Sequence, residues 1–176
     1  VRLTITEADQ RRMMDALPDC VYVPASFRWR NVEFEKVAVR FKGNSSSQPQ
    51  QKHKRSYLIR FDKYDSELRF LGLRRVSFDN GVQFGSLFSE PIITEILKAE
   101  GVKTHRCNYA NVYLNGKYRG VYVNVERVDE TFLENRFPNA SGGLWKNDLG
   151  GAGGDLAFVG SDPKRYEKTF EAKNKA

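Results

Sequence analysis

Four basic residues, Arg40, Lys42, Lys54 and Arg60, lie on or beside two segments that read as neighbouring strands, with the Ser-rich loop Gly43–Lys54, GNSSSQPQQKHK, between them. Ammonium and guanidinium groups grouped in this way can hold the charge of an anion through charge-assisted hydrogen bonds. An ordinary solvated strand face would carry the same residues, so both readings stand. The loop is equally two-sided. It suits a flexible hairpin connection, or a backbone-and-hydroxyl cradle for an anion in which Ser45, Ser46 and Ser47 act with Lys52 and Lys54. It is not a P-loop, because no GxxxxGK[ST] occurs in the chain. A further polar group at a telling place is Glu126, a carboxylate at the end of a strand and just before a helix, where a hinge would be expected.

Other chemistries find less support. His53 and His105 are far apart, with no HExxH or Cys/His spacing, so no metal site is expected. The stretch GGAGGDLAF, residues 150–158, is a single imperfect copy of a calcium-binding nonapeptide that works only as stacked repeats. No G-x-S-x-G elbow is present. The RNP signature of RNA-binding sheets is absent too, and nucleic acid is not favoured as a partner. Cys20 and Cys107 are too few for a disulfide framework and read as two free buried thiols, or as one bridge if the fold brings them together. The net charge of +7, from 29 basic and 22 acidic residues, favours anionic partners. No apolar run approaches the roughly 18 residues of a membrane helix.

The elements that must position these groups centre on Asn108–Phe137, NYANVYLNGKYRGVYVNVERVDETFLENRF. Asn115-Gly116 accepts the positive φ angles of a type I′ turn and predicts a two-residue hairpin. That register sets Leu114 opposite Lys117, Tyr113 opposite Tyr118 and Tyr109 opposite Tyr122. Val121, Val123 and Val125 then join Val112 and Leu114 on an aliphatic core face. Tyr118, Gly120 and Tyr122 join Tyr109, Asn111 and Tyr113 on a second face, read either as the functional surface or as aromatic pairs that only stabilise the sheet. Upstream, a strand at Val1–Ile5 leads into a helix from Thr6 to about Leu17. Short strands are expected within Tyr22–Arg30, and clearer ones at Glu35–Lys42, Arg55–Asp62 and Leu68–Asp79. A second helix runs from Ser86 or Ser89 to Glu100, with Phe88, Ile92, Ile93, Ile96 and Leu97 as its core stripe. Asp129 caps a short helix to about Arg136. A strand at Gly142–Lys146, a loop at Gly150–Asp155, a strand at Leu156–Val159 and a helical turn at Tyr166–Phe170 complete the chain. Phe158, Tyr166 and Phe170 are expected to form an apolar surface patch. The whole reads as α+β with an antiparallel sheet.

Four segments in order, VAVRFKGNSSS (Val37–Ser47), KRSYLIRFDK (Lys54–Lys63), NVYLNGKYRGVYVNVERVDETFLENRF (Asn111–Phe137) and GGLWK (Gly142–Lys146), resemble the spore-coat protein H (CotH) kinase-like family. The family pattern runs R-x-K-G with Ser soon after, K-x-S-Y-x-I-x-F, Y-x-N-G-x-Y-x-G-x-Y, E-x-x-D-x-x-F-L and G-x-L-Y-K. This chain departs mildly, with Trp145 where Tyr is usual and Val121 where Leu is common.

The resemblance implies the sheet-rich lobe of an atypical protein-kinase-like fold over residues 1–176, with two or three helices and the start of a connection to a second lobe outside it. It implies ATP and Mg²⁺ or another divalent metal as cofactors of the intact protein, and protein substrates with Ser acceptors. It also implies that Lys146 lies near the phosphates. The family's catalytic and metal-holding aspartates match nothing here, so this chain alone should neither transfer phosphate nor hold ATP tightly. A coat, cell-surface or secreted setting fits the family. The alternative is a non-catalytic coat or surface interaction module built on the same scaffold.

Overall fold

The computed structural model describes residues 1–43, 45–52, 54–82, 85–147, 154, 157–167 and 169–174. The Gly-rich loop at Gly150–Asp155 lies outside them apart from Gly154, as do His53 and the start of the strand expected at Leu156. The chain divides into two compact units, Val1–Arg127 and Val128–Ala176.

In the first unit, β1 (Arg2–Thr4) leads into α1 (Glu7–Asp15), whose first turn is closed by the Thr6 hydroxyl accepting from the Asp9 N–H at 3.1 Å. β2 (Val23–Trp29), β3 (Val32–Lys42), β4 (Ser56–Arg60) and β5 (Arg75–Asp79) then follow as an antiparallel run. After α2 (Ser89–Ala99) come the hairpin strands β6 (Cys107–Leu114) and β7 (Lys117–Val125). β7 inserts between β5 and β6, and β1 pairs parallel with β6, so the order β1-β2-β3-β4-β5-β7-β6 closes on itself.

The expectation of an α+β, kinase-like lobe is therefore corrected. The unit is a closed seven-stranded mixed β-barrel, and the three α-helices among the described residues are short. The cause is the β1–β6 contact. Tyr113 N–H donates to Val1 O, and Asn115 N–H to Leu3 O, both at 2.9 Å. Closure removes the edges that an open sheet would leave for helices or partners to cover.

The Asn115-Gly116 turn forms as expected, with φ of 50° and 78°. Asn115 has a second task. Its Oδ1 accepts from Ile5 N–H at 2.8 Å and its Nδ2 donates to Ile5 O at 2.7 Å, so a side-chain amide continues the β1–β6 pairing past the strand ends. Asn115→Gly keeps the turn conformation and removes only that amide. It is expected to cost about 1–2 kcal/mol in urea unfolding, and an unchanged midpoint would dismiss the clasp.

Beyond Tyr113↔Tyr118 the pairing steps to Val112↔Gly120, so Arg119 is an extra residue on β7. A bulge reverses which face the later residues occupy. Tyr109 consequently pairs with Val123, not Tyr122. Tyr122 enters the barrel core, fully buried, with Val112 and Leu114. Val123 is buried on the other face, and Val121 and Val125 are half-buried. The single aliphatic core face expected for the hairpin is thus corrected.

The core is aromatic. Phe27 is fully buried, with its ring edge-on to Phe61 at 5.1 Å and Phe70 at 5.0 Å. The stripe expected to seat α2 in the core does the opposite: Phe88, Ile92, Ile93 and Ile96 are 64%, 56%, 55% and 58% exposed. Thr94 is the buried residue of this helix.

The second unit holds α3 (Glu130–Arg136), capped by Asp129, and a ribbon of β8 (Trp145–Asn147) with β9 (Phe170–Ala172). Phe158 is 78% exposed, while Tyr166 and Phe170 are half-buried with their rings 6.3 Å apart.

Candidate functional site: a cationic cleft at one end of the barrel

Where β3 and β6 end and β4 and β7 begin, α1 and the loop after β3 leave a cleft of about 510 Å³. Its apolar wall is Ile5, Met13, Phe41 and Leu114, with the rings of Tyr57 and Tyr122. Its cations are Lys52, Lys54, Arg55 and Arg119, and no Asp or Glu is among its described lining residues. Mouths of β-barrels are common ligand sites, and this volume lies within the usual range of about 300–1,000 Å³.

Each cation is placed by a local cause. Arg55 is 8% exposed. Its guanidinium donates to the carbonyls of Ser46 and Gln48, both at 2.7 Å, so it holds the Ser-rich loop. Lys54 reaches across to β7, where its ammonium donates to Val121 O and lies over the Tyr122 ring, 4.3 Å from the centroid. Beside that crossing Gly120 has a φ of +105°, a left-handed conformation that favours glycine, and a Cβ there would meet Lys54 Nζ at an ordinary contact distance of 3.6 Å. Burial lowers the Lys54 pKa. Arg119, the bulge residue, is exposed at the rim.

The Tyr122 hydroxyl is buried without a partner among the described residues, and burial pushes its pKa well up. It is a neutral donor that a ligand's polar group can satisfy. The positive field of Arg119 works against that rise, as it does at Tyr57. The arrangement can hold an anion that carries an apolar part.

Among the residues that the sequence singles out, Lys54 lines the cleft. Arg40 lies over the Tyr22 ring at 5.4 Å and donates to Phe41 O at 3.1 Å. Lys42 pairs with Asp79, which also accepts from Ser56 Oγ at 3.2 Å. Arg60 pairs with Asp62 at 2.7 Å, and that hydrogen bond raises the arginine's pKa. Glu126 accepts from Arg106 at the far end of the hairpin. Lys146 belongs to the second unit, on β8.

The Ser loop forms a single 3-10 turn at Ser45–Ser47. Ser46 Oγ donates to Lys42 O, and Ser47 Oγ lies 3.1 Å from Cys20 Sγ. These hydroxyls brace the loop, which presents lysines and not hydroxyls to the cleft. Both cysteines are free and half-buried.

Arg55 and Arg119 were not legible as site residues. The first reads as the start of a strand, and only the bulge brings the second to the rim. Gly120 inside a strand pattern is the one local sign of that bulge.

The family model described as CotH kinase protein matches residues 39–176. No curated protein matches the chain.

Proposed function

The chain belongs to the CotH kinase protein family, and from that premise we propose that its barrel unit binds the phosphates of ATP in the cationic cleft, as the nucleotide-binding part of a protein that phosphorylates Ser on protein substrates. The observation that carries the reading is the charge of the cleft, where Lys52, Lys54, Arg55 and Arg119 face a common space without a carboxylate among the described lining residues. Phosphates lose water on entry and need that charge in return. Ile5, Met13 and Phe41 offer apolar surface to a base.

The fit to the family's cofactors is partial. The phosphates find cations, but a divalent ion finds no carboxylate among the cleft's described lining residues. Phosphoryl transfer needs one carboxylate near the attacking hydroxyl and another on the metal, so no residue of this chain is given a catalytic role, and ATP binding by the chain alone is expected to be weak. Lys146 as a phosphate-facing residue rests on the resemblance alone.

The test is an NMR titration of the chain with ATP, a method suited to weak ligands. Resonances around Tyr118 and Tyr122 should shift, and Lys54→Ala should weaken binding about tenfold, the low end for a charge-assisted contact. Equal affinity in wild type and Lys54→Ala would remove the lysine's role. Shifts elsewhere would remove the cleft.

A second reading, a non-catalytic coat or surface interaction module, is favoured by the exposed apolar face of α2. A folded wild-type chain with no response to ATP would turn the balance to it.

A further inference from the structure

Outside the cleft, three side chains of different chemistry converge beside α2. Glu90 stands in the first turn of the helix, His105 precedes β6, and Cys107 is the first residue of that strand. Glu90 Oε1 and His105 Nε2 are 3.2 Å apart, and the three groups offer one ligand atom each within 4.8 Å of one another. All three are half-buried. We propose that Glu90, His105 and Cys107 form a divalent transition-metal site, zinc by ligand chemistry, that pins the start of α2 to the barrel and keeps one coordination position open to water.

The donor set is carboxylate oxygen, imidazole nitrogen and thiolate sulfur, which suits a borderline-soft ion such as Zn²⁺. Bonds of about 2.0–2.3 Å in a tetrahedron set ligand atoms roughly 3.3–3.8 Å apart. Glu90 and His105 already stand 3.2 Å apart, and the widest spacing needs to tighten by up to about 1.5 Å, a change within the reach of side-chain rotation. On binding, the thiol proton leaves to water and the sulfur takes the metal.

A second observation points to the same place. Thr94, the buried residue of α2, turns its hydroxyl into the cluster, 3.4 Å from His105 Nε2 and 3.7 Å from Cys107 Sγ. The helix's apolar face is exposed, and its neighbours are tied to β6 by a Phe88–Tyr109 ring contact at 6.2 Å and a Tyr109 hydroxyl bond to Leu87 O. A metal cross-link supplies the anchorage that burial does not.

No motif marks the site in the sequence, because its ligands come from a helix, a loop and a strand. The proposal does not depend on the nucleotide reading.

The test uses the full chain, freed of metal with a chelator and titrated with Zn²⁺ and with Co²⁺. One equivalent should bind, and Co²⁺ should give the near-ultraviolet band of a thiolate-to-metal charge transfer. Cys107→Ser should abolish that band, and His105→Ala and Glu90→Gln should each weaken Zn²⁺ by at least about tenfold. Cys20→Ser should leave both unchanged. Far-ultraviolet circular dichroism of each metal-free variant checks that the fold persists. Absence of stoichiometric binding by wild type overturns the site. So does undiminished binding in folded Cys107→Ser and His105→Ala, or loss of the cobalt band in folded Cys20→Ser.

Discussion

Phe27→Ala is expected to destabilise the barrel by about 4 kcal/mol, because removing a fully buried aromatic ring leaves a cavity that a closed sheet cannot collapse around. Phe27 meets Phe61 and Phe70 edge-on at 5.1 and 5.0 Å, with Phe34 at 6.1 Å. Phe61 and Phe70 also stack on each other at 5.4 Å. The loss therefore includes oriented ring contacts as well as transfer of apolar area. With a urea m-value of about 2 kcal/mol/M, the unfolding midpoint falls by about 2 M. Phe88→Ala is the control. Phe88 is 64% exposed, and its removal should move stability by no more than about 0.5 kcal/mol. Equal losses in the two variants would mean that α2's apolar face is part of the folded core after all.

That contrast marks where the sequence could be read and where it could not. Phe27 and Phe88 are both apolar residues at periodic positions, and periodicity says which residues share a face but not whether anything covers it. The local features were legible because their causes are local. Thr6 and Asp129 cap their helices, Asn115-Gly116 turns the hairpin, and Val37, Val39 and Phe41 alternate into the core. Closure was not legible. It depends on Val1–Leu3 finding Tyr113–Asn115 from the far end of the unit, and neither partner carries a mark of the other.

The Tyr face failed for a subtler reason. A single extra residue, Arg119, reverses the faces and sends Tyr122 inward. In the candidate site, Lys54 was legible by charge and by its place after the Ser loop. Arg55 and Arg119 depended on loop bracing and on the bulge. Glu90 carries no sequence mark of a ligand, and only the fold sets it against His105.

Glu126 carries the sharpest conflict between resemblance and geometry, and its replacement separates the two. The family pattern and the position before a helix suggest a hinge near nucleotide. In the barrel, its side chain is 6% exposed and completes the hairpin. Glu126 N–H donates to Arg106 O at 2.9 Å, and Arg106 N–H returns the bond to Glu126 Oε2 at 2.9 Å, so the carboxylate stands where the next strand carbonyl would. The Arg106 guanidinium adds Nε at 3.1 Å and Nη2 at 2.8 Å, and these bonds raise its pKa. That side chain is 64% exposed, so solvent screens the ion pair and the main-chain bond carries more of the stabilisation.

Glu126→Ala is therefore expected to cost about 2–3 kcal/mol by leaving the Arg106 N–H without its acceptor, and Glu126→Gln about 1 kcal/mol, since an amide oxygen keeps one bond. Urea unfolding and the ATP titration on the same two variants decide the matter. A stability loss graded Ala over Gln, with ATP affinity unchanged in the folded protein, fits the structural role. A Glu126→Ala protein as stable as wild type, with altered ATP affinity, would return the residue to the nucleotide.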